Sequence, residues 1–225
     1  MFPAALRLDL PASRLYWGDQ SDGQILSTDL TMVSPLLLIE TLFNHGLAID
    51  SAAGRMYWTT SDTSFSGKIL SRSIGGSEDP VIVRAEITSK PGSLALDVAA
   101  GKIYWTDAIA LKVRRANLDG TNVEELIING SILPGPPRAI ALDLVAGDVY
   151  FSLDREIEES PTQGEIYRMN LDGTGLELIA ANLGLVNDLY ILQDQVECAA
   201  DFDGNGTREV ADIFAFLSLW FAGCP

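Results

Sequence analysis

The sequence predicts an all-β protein made of repeated four-stranded sheets, because three features recur along most of its length. Aromatic pairs return every 41 to 47 residues, as Tyr16-Trp17, Tyr57-Trp58, Tyr104-Trp105 and Tyr150-Phe151. Before each pair lies a short apolar strand that ends in aspartate, at Asp9, Asp50, Asp97 and Asp143. Between this strand and the aromatic pair, each unit has a turn residue, namely Ser13, Gly54, Gly101 or Gly147. Short strands joined by tight turns at a period of roughly 40–45 residues are typical of β-propeller blades.

The third unit shows the four strands of a blade most clearly. An alternating apolar strand ends at Asp97, and the aromatic strand follows over residues 103–107. A third strand is predicted over Val113–Leu118, where Asp119-Gly120 gives a strong tight-turn signal. The fourth strand is predicted over Val123–Ile128.

The propeller is predicted over residues 1–192 and a separate tail over 193–225. Blades are expected at about 6–43, 45–87, 93–128 and 139–180, with a proline-rich connection over 129–138, a polar loop over 154–163 and an extra strand over 186–192. Since a propeller must hide its first and last edges, four units can close as a small ring or form part of a larger one. An open edge would favour self-association.

The repeat unit resembles the low-density-lipoprotein receptor class B repeat, also called the YWTD repeat. Residues 101–107, Gly-Lys-Ile-Tyr-Trp-Thr-Asp, match its core, and the other units are looser copies. The resemblance covers about residues 6–192 and implies a propeller related to six-bladed extracellular protein-binding domains. It also implies that the aspartate of the motif, here Asp19 and Asp107, is structural.

Composition limits the classes of partner. The net charge is −16, from 31 acidic and 15 basic residues. Nucleic-acid binding depends on Lys and Arg contacts to phosphate, and anionic membrane surfaces attract basic segments, so both are disfavoured. No apolar run is long enough for a transmembrane helix. The N-terminus lacks a signal peptide, so we expect the start to be truncated relative to a secreted precursor.

The repeated residues are expected to be structural. Large aromatic side chains at one position of every unit are expected to fill the wedge between blades, and the repeated aspartates to form turns. One break in the repeat is Asn187-Asp188, where the other units carry Leu-Ala or Ile-Ala. Polar residues there resemble part of the channel metal site of lactonase-type propellers, which makes a propeller hydrolase with a metal near Asp188 the alternative function.

The strongest metal-site signal lies in the tail. Asp, Asp, Asn and a closing acid fall at positions 1, 3, 5 and 12 of an EF-hand-type loop, with Gly206 at the sharp turn. The predicted Ca²⁺ ligands are Asp201, Asp203, Asn205, Thr207, Glu209 and Asp212. The alternative is an Asp/Gly-rich turn without a metal. An apolar helix is predicted to follow, over about Val210–Phe221.

The tail resembles a single dockerin type I repeat, since its loop closes with Asp212 in place of Glu. Dockerins carry two such loops and bind cohesin modules, and one loop is present here. Cys198 and Cys224 bracket the motif, which favours a disulfide over free thiols in a secreted protein. The sequence thus predicts a non-enzymatic binding or scaffolding protein, extracellular or at a bacterial cell surface, that recognises a protein or surface component. A fragment of a larger cell-surface protein is a further alternative.

Overall fold

The computed structural model describes residues 3–30, 35–41, 46–61, 66–87, 89–126, 133, 135–157 and 160–191. The chain divides into two compact units, Met1–Tyr190 and Ile191–Pro225. The predicted calcium loop, the helix after it and both cysteines lie outside the described residues.

Within the described residues, the fold is an all-β propeller of four antiparallel four-stranded sheets, which confirms the predicted fold class. Blade one is formed by β1 (Pro3–Asp9), β2 (Arg14–Asp19), β3 (Gln24–Asp29) and β4 (Leu36–Glu40). Blade two is formed by β5 (Leu47–Asp50), β6 (Arg55–Ser61), β7 (Ser66–Ser73) and β8 (Val81–Ile87). Blade three is formed by β9 (Pro91–Asp97), β10 (Lys102–Asp107), β11 (Lys112–Asn117) and β12 (Glu124–Glu125). Blade four is formed by β13 (Pro137–Asp143), β14 (Asp148–Ile157), β15 (Ser160–Asn170) and β16 (Glu177–Leu183).

Strands run in sequence order across each sheet, and the first strands of neighbouring blades pack against one another. We therefore call β1, β5, β9 and β13 the inner strands. The turn after each inner strand is held by the repeated aspartate, as predicted. In blade three, for example, Asp97 Oδ1 accepts a hydrogen bond of 2.9 Å from the backbone N–H of Ala100. Gly101 follows with a φ of 65°, a conformation that costs glycine little.

Three apolar clusters lie between successive blades, and six of the eight aromatic side chains of the pairs pack in them as predicted. Tyr57 of blade two packs in the cluster shared with blade three, whereas Trp58 packs in the cluster shared with blade one. Blade three repeats this division, since Tyr104 faces blade four and Trp105 faces blade two. Successive side chains of a strand point to opposite faces, so the pairs of blades two and three each serve two interfaces at once.

Several predicted boundaries are wrong. The polar loop predicted over 154–163 is a hairpin extension, because β14 continues to Ile157 and pairs with β15 from Ser160. The fourth strand of blade three covers Glu124–Glu125 among the described residues, and residues 127–128 of the predicted strand lie outside them. Blade four begins earlier than predicted, at Pro137, a residue tolerated at the start of a strand. Residues 186–191 of the predicted extra strand are not in a strand.

The described part of the chain contains no helix with the length and apolarity needed to cross a membrane.

Candidate functional site

A pocket of 460 Å³ opens where two inner strands begin. Its walls come from the starts of β9 and β13, from the segment after β16, and from the residues that directly follow β2 and β10. We call it the inner-strand pocket. The lining residues are Gln20, Lys90, Pro91, Gly92, Ser93, Ala108, Pro136, Pro137, Arg138 and Asn187.

Asp107 fixes the Lys90 wall of the inner-strand pocket. Its carboxylate is fully buried and accepts a hydrogen bond of 2.7 Å from Ser89 Oγ and one of 3.1 Å from the Lys90 backbone N–H. The same carboxylate holds its own turn through the N–H groups of Ile109 and Ala110, at 3.2 and 3.0 Å. The motif aspartate is structural, as predicted, and here it also positions one side of the pocket.

The neighbouring threonine fixes the opposite wall. Thr106 Oγ1 donates a hydrogen bond of 2.8 Å to the Arg138 carbonyl oxygen on β13. The same tie recurs in the adjacent blades, where Thr59 Oγ1 lies 2.8 Å from Gly92 O and Ser152 Oγ lies 2.9 Å from Val186 O. Each hydroxyl directly follows the aromatic pair; those of Thr59 and Thr106 reach the next blade, and that of Ser152 reaches the segment after β16. The pocket is therefore held by repeat residues, so that little ordering is needed when a ligand binds.

The charge of the pocket is opposite to that of the chain. Among the described residues that line the pocket, Lys90 and Arg138 are the cations and none is a carboxylate. The side chain of Arg138 is 49% exposed and forms an ion pair with Asp154, which is buried behind it. Within the described residues, Lys90 takes part in no ion pair. On a chain with a net charge of −16, this pocket is a local positive site suited to an anionic group.

Ion pairs also connect blade three, which carries the Asp107 wall of the pocket, to blade two. Arg114 on β11 contacts Asp107 of its own blade at 3.3 Å and Glu86 on β8 of blade two. Burial raises the pKa of Glu86, but the hydrogen bonds and charges of Arg84 and Arg114 outweigh it and leave the pKa below its usual value. Glu86 is consequently ionised at neutral pH and links two blades beside the Asp107 wall.

The predicted break at Asn187-Asp188 falls only partly at the pocket. Asn187 lines it, whereas Asp188 forms an ion pair of 3.2 Å with Arg7 on β1. The hydrogen bond of Ser152 aligns Val186 with Gly92 and Arg138, so the sequence alignment of Asn187-Asp188 was wrong by one position. Among the described residues, no three acidic, histidine or cysteine side chains are grouped closely enough to hold a metal ion.

Sequence reasoning missed the two cations of the pocket. Lys90 and Arg138 flank the prolines that begin β9 and β13, and they lie outside the repeated motif. The only signal in the sequence is their shared position, one residue before or after a proline at the start of a blade. The six predicted calcium ligands lie outside the described residues.

No family model matches the chain. It is similar to a chain in the crystal structure of a nidogen/laminin complex, with 26% identity and a TM-score of 0.62 over 78% of this chain. The match spans 64% of that chain's length. Binding propellers are thus represented among its structural neighbours.

Enzyme structures share the fold at lower identity. A GH74 enzyme from Niastella koreensis matches with 13% identity and a TM-score of 0.59, over 77% of this chain and 28% of that one. The PQQ-bound aldose sugar dehydrogenase of Streptomyces coelicolor matches with 16% identity and a TM-score of 0.56, over 75% of this chain and 60% of that one. At this identity the likeness concerns the fold alone, and function must be argued from the site.

Proposed function

We propose that the chain is a secreted, non-enzymatic binding module whose inner-strand pocket receives an acidic side chain from a protein partner. One observation carries this proposal: on a chain of net charge −16, the described lining of the pocket contains two cations and no carboxylate. An acidic group would meet the uncompensated charge of Lys90 and the exposed guanidinium of Arg138. The similarity to a chain of the nidogen/laminin complex supports a protein rather than a small molecule as the ligand.

The pocket gives less support to a hydrolase. Its ten described lining residues include no carboxylate, histidine or cysteine, the usual bases and nucleophiles. Ser93 lines the pocket, but the described lining contains no carboxylate or histidine that could activate its hydroxyl as a nucleophile. Asp188, the predicted metal ligand of the alternative function, is paired with Arg7.

The test is selection of a displayed library of disulfide-constrained loops against the full chain. We expect Asp and Glu to be enriched at the loop tip, and binding of selected loops to weaken at least tenfold in Lys90→Gln. Lys68→Gln is the matched control, because Lys68 lies on β7 and does not line the pocket. Enrichment of basic tips, or equal binding by wild type and Lys90→Gln, would overturn the proposal.

We further propose that residues 193–225 bind one Ca²⁺ through the loop from Asp201 to Asp212 and attach the propeller to a surface or an assembly. The support is the register of the loop, since oxygen ligands at these spacings suit a hard cation. The disulfide between Cys198 and Cys224 would close the tail around this loop.

A further inference from the structure

Blade four departs from the repeat at two positions that meet beside the inner-strand pocket. Arg138 lies where blade three has Gly92, because the carbonyl oxygen of each accepts a hydrogen bond of 2.8 Å from a threonine hydroxyl of the preceding blade. Asp154 lies where blade three has Ala108, because the backbone N–H of each donates a hydrogen bond of 3.1 Å to the segment that leads into the inner strand. A cation and a carboxylate thus replace two small uncharged residues.

The strand pairing around these positions does not require the charged pair. In blade four, Arg138 and Ala139 lie opposite the single residue Ser152, which makes a β-bulge at the start of β13. Blade three has the same bulge at Gly92 without an ion pair. Bulges are a common way to re-aim a side chain next to a site. The Arg138–Asp154 pair is therefore an addition to the repeat at the place where the pocket opens.

Asp154 is a lasting part of this pocket although it does not line it. The residue is 3% exposed, and apart from the ion pair with Nε of Arg138 its carboxylate has no polar partner among the described residues. A buried carboxylate left without its cation is costly, so Arg138 should stay with Asp154 when the pocket is filled. The N–H groups on the two terminal nitrogens of the guanidinium remain available to a ligand.

The charges around the pocket leave one positive charge for a ligand. Lys90 and Arg138 contribute two positive charges, and Asp154 removes one. The buried carboxylate of the other wall, Asp107, has its own cation in Arg114. A carboxylate ligand would match the remaining charge, whereas a phosphate monoester carries about −1.5 to −2 at neutral pH and would place its surplus beside Asp154.

We propose that Asp154 makes the inner-strand pocket selective for a singly charged carboxylate over a phosphate dianion. This inference rests on the proposed function, in which the pocket receives an acidic side chain. At an effective dielectric constant of about 20, one extra unit charge about 10 Å from a carboxylate changes an affinity by roughly tenfold. Asp154 would thus exclude phosphorylated segments from a site whose two lining cations would otherwise suit them.

The test compares disulfide-constrained loops that are identical except for glutamate, phosphoserine or sulfoserine at the tip, with binding to the full chain followed by fluorescence anisotropy. We expect wild type to bind the glutamate loop about tenfold more tightly than the phosphoserine loop. Sulfoserine has the tetrahedral shape of phosphoserine but a single charge, so its loop should bind nearly as well as the glutamate loop.

Three variants assign the preference to Asp154. Asp154→Asn leaves two positive charges and should bind the phosphoserine loop at least as tightly as the glutamate loop. The double variant Arg138→Gln, Asp154→Asn returns to one positive charge and should regain the preference for glutamate. Asp148→Asn is the matched control, because it removes a carboxylate that pairs with Arg168 at the start of β14 and does not line the pocket. Circular dichroism checks that each variant folds.

The outcomes separate this inference from the proposed function. An unchanged preference in Asp154→Asn, with the glutamate loop still weakened by Lys90→Gln, would overturn the selectivity and leave the pocket as an acid-binding site. Equally weak binding of the phosphoserine and sulfoserine loops would assign the preference to shape and would also overturn it. Failure of wild type to bind any of the loops, or binding that Lys90→Gln leaves unaffected, would overturn both proposals.

Discussion

Replacing Asp107 by alanine should destabilise the propeller more than any other single change at a repeated aspartate. The carboxylate is fully buried and accepts hydrogen bonds from Ser89, Lys90, Ile109 and Ala110. Alanine leaves these donors, of which Ser89 is buried, without this acceptor. It also removes the carboxylate that Arg114 contacts at 3.3 Å.

The magnitude follows from these contacts. A hydrogen bond to a charged group contributes about 1.5–3 kcal/mol, and contributions within one network do not add. Removing one partner of a buried ion pair costs about 3–5 kcal/mol when the other charge is left unpaired, and this range is an upper bound here because Arg114 keeps its contact with Glu86. We therefore expect Asp107→Ala to lower the free energy of unfolding by about 4 kcal/mol, a large share of the roughly 5–15 kcal/mol of a typical domain.

Urea unfolding followed by tryptophan fluorescence measures this loss, because Trp58 and Trp105 are buried between blades. Asp119→Ala is the matched control: Asp119 also accepts from a backbone N–H and a hydroxyl, those of Thr121, but in an exposed turn. It should cost about 1 kcal/mol or less. A loss below about 1.5 kcal/mol for Asp107→Ala, or equal losses for the two variants, would refute the assignment of Asp107 as the anchor of the pocket wall.

Four further changes test separate parts of the molecule. Gly120→Ala should lower the free energy of unfolding in urea by at least about 2 kcal/mol more than Gly101→Ala. A Cβ at Gly120 would lie 1.7 Å from the Val83 carbonyl oxygen, whereas a Cβ at Gly101 meets nothing within 4 Å. Equal losses for the two variants would contradict this packing. Thr106→Val removes the hydrogen bond to Arg138 O, so it should lower the free energy of unfolding by about 1 kcal/mol and weaken the binding of acidic loops. Unchanged loop binding would argue against a role of this hydrogen bond in holding the pocket. The pKa of Glu86 is lower in the folded chain than in the unfolded chain. The ionised carboxylate therefore stabilises the fold above its unfolded pKa, and this stabilisation is lost as the pH falls through its folded pKa. The difference in stability between wild type and Glu86→Gln should thus be largest near neutral pH and shrink below about pH 4, and a difference independent of pH would contradict the ionised pair. Native mass spectrometry should show one Ca²⁺ per wild-type chain and none when Asp201 and Asp203 are both replaced by alanine. A metal retained in the variant would be bound elsewhere, and a wild-type chain without Ca²⁺ would refute the predicted calcium loop.

The fold could be predicted because the residues that pack one blade against the next are adjacent in the sequence. A strand that is covered on both faces needs two large side chains in succession, and Tyr104-Trp105 supplies one for each neighbouring blade. An aromatic pair stands at the same position in every blade, so the pattern is recognisable even where the copies are loose. The turns could also be predicted, since Asp97 accepts a hydrogen bond from the backbone of its own turn and Gly101 adopts a positive φ.

Strand ends were less predictable because polarity does not decide backbone pairing. The segment after Ser152 is rich in acidic residues, which suggested a loop. Yet Asp154 pairs with Gly164 and Arg155 with Gln163, so the hairpin continues beyond the core. Conversely, the segment 186–191 begins with the same hydrogen bond as an inner strand, but it pairs with no strand among the described residues.

The inner-strand pocket escaped prediction because it forms only when blades are placed side by side. Lys90 precedes β9 and Arg138 lies on β13, so their proximity depends on the packing of blade three against blade four. The residues that set this packing are those of the motif, since Asp107 holds the Lys90 backbone and Thr106 holds the Arg138 carbonyl. The repeat therefore encodes the position of the site, whereas its chemistry resides in residues outside the repeat. It follows that exchanging Lys90 for another side chain should alter what the pocket binds with little effect on the fold, while changes at Asp107 should alter both.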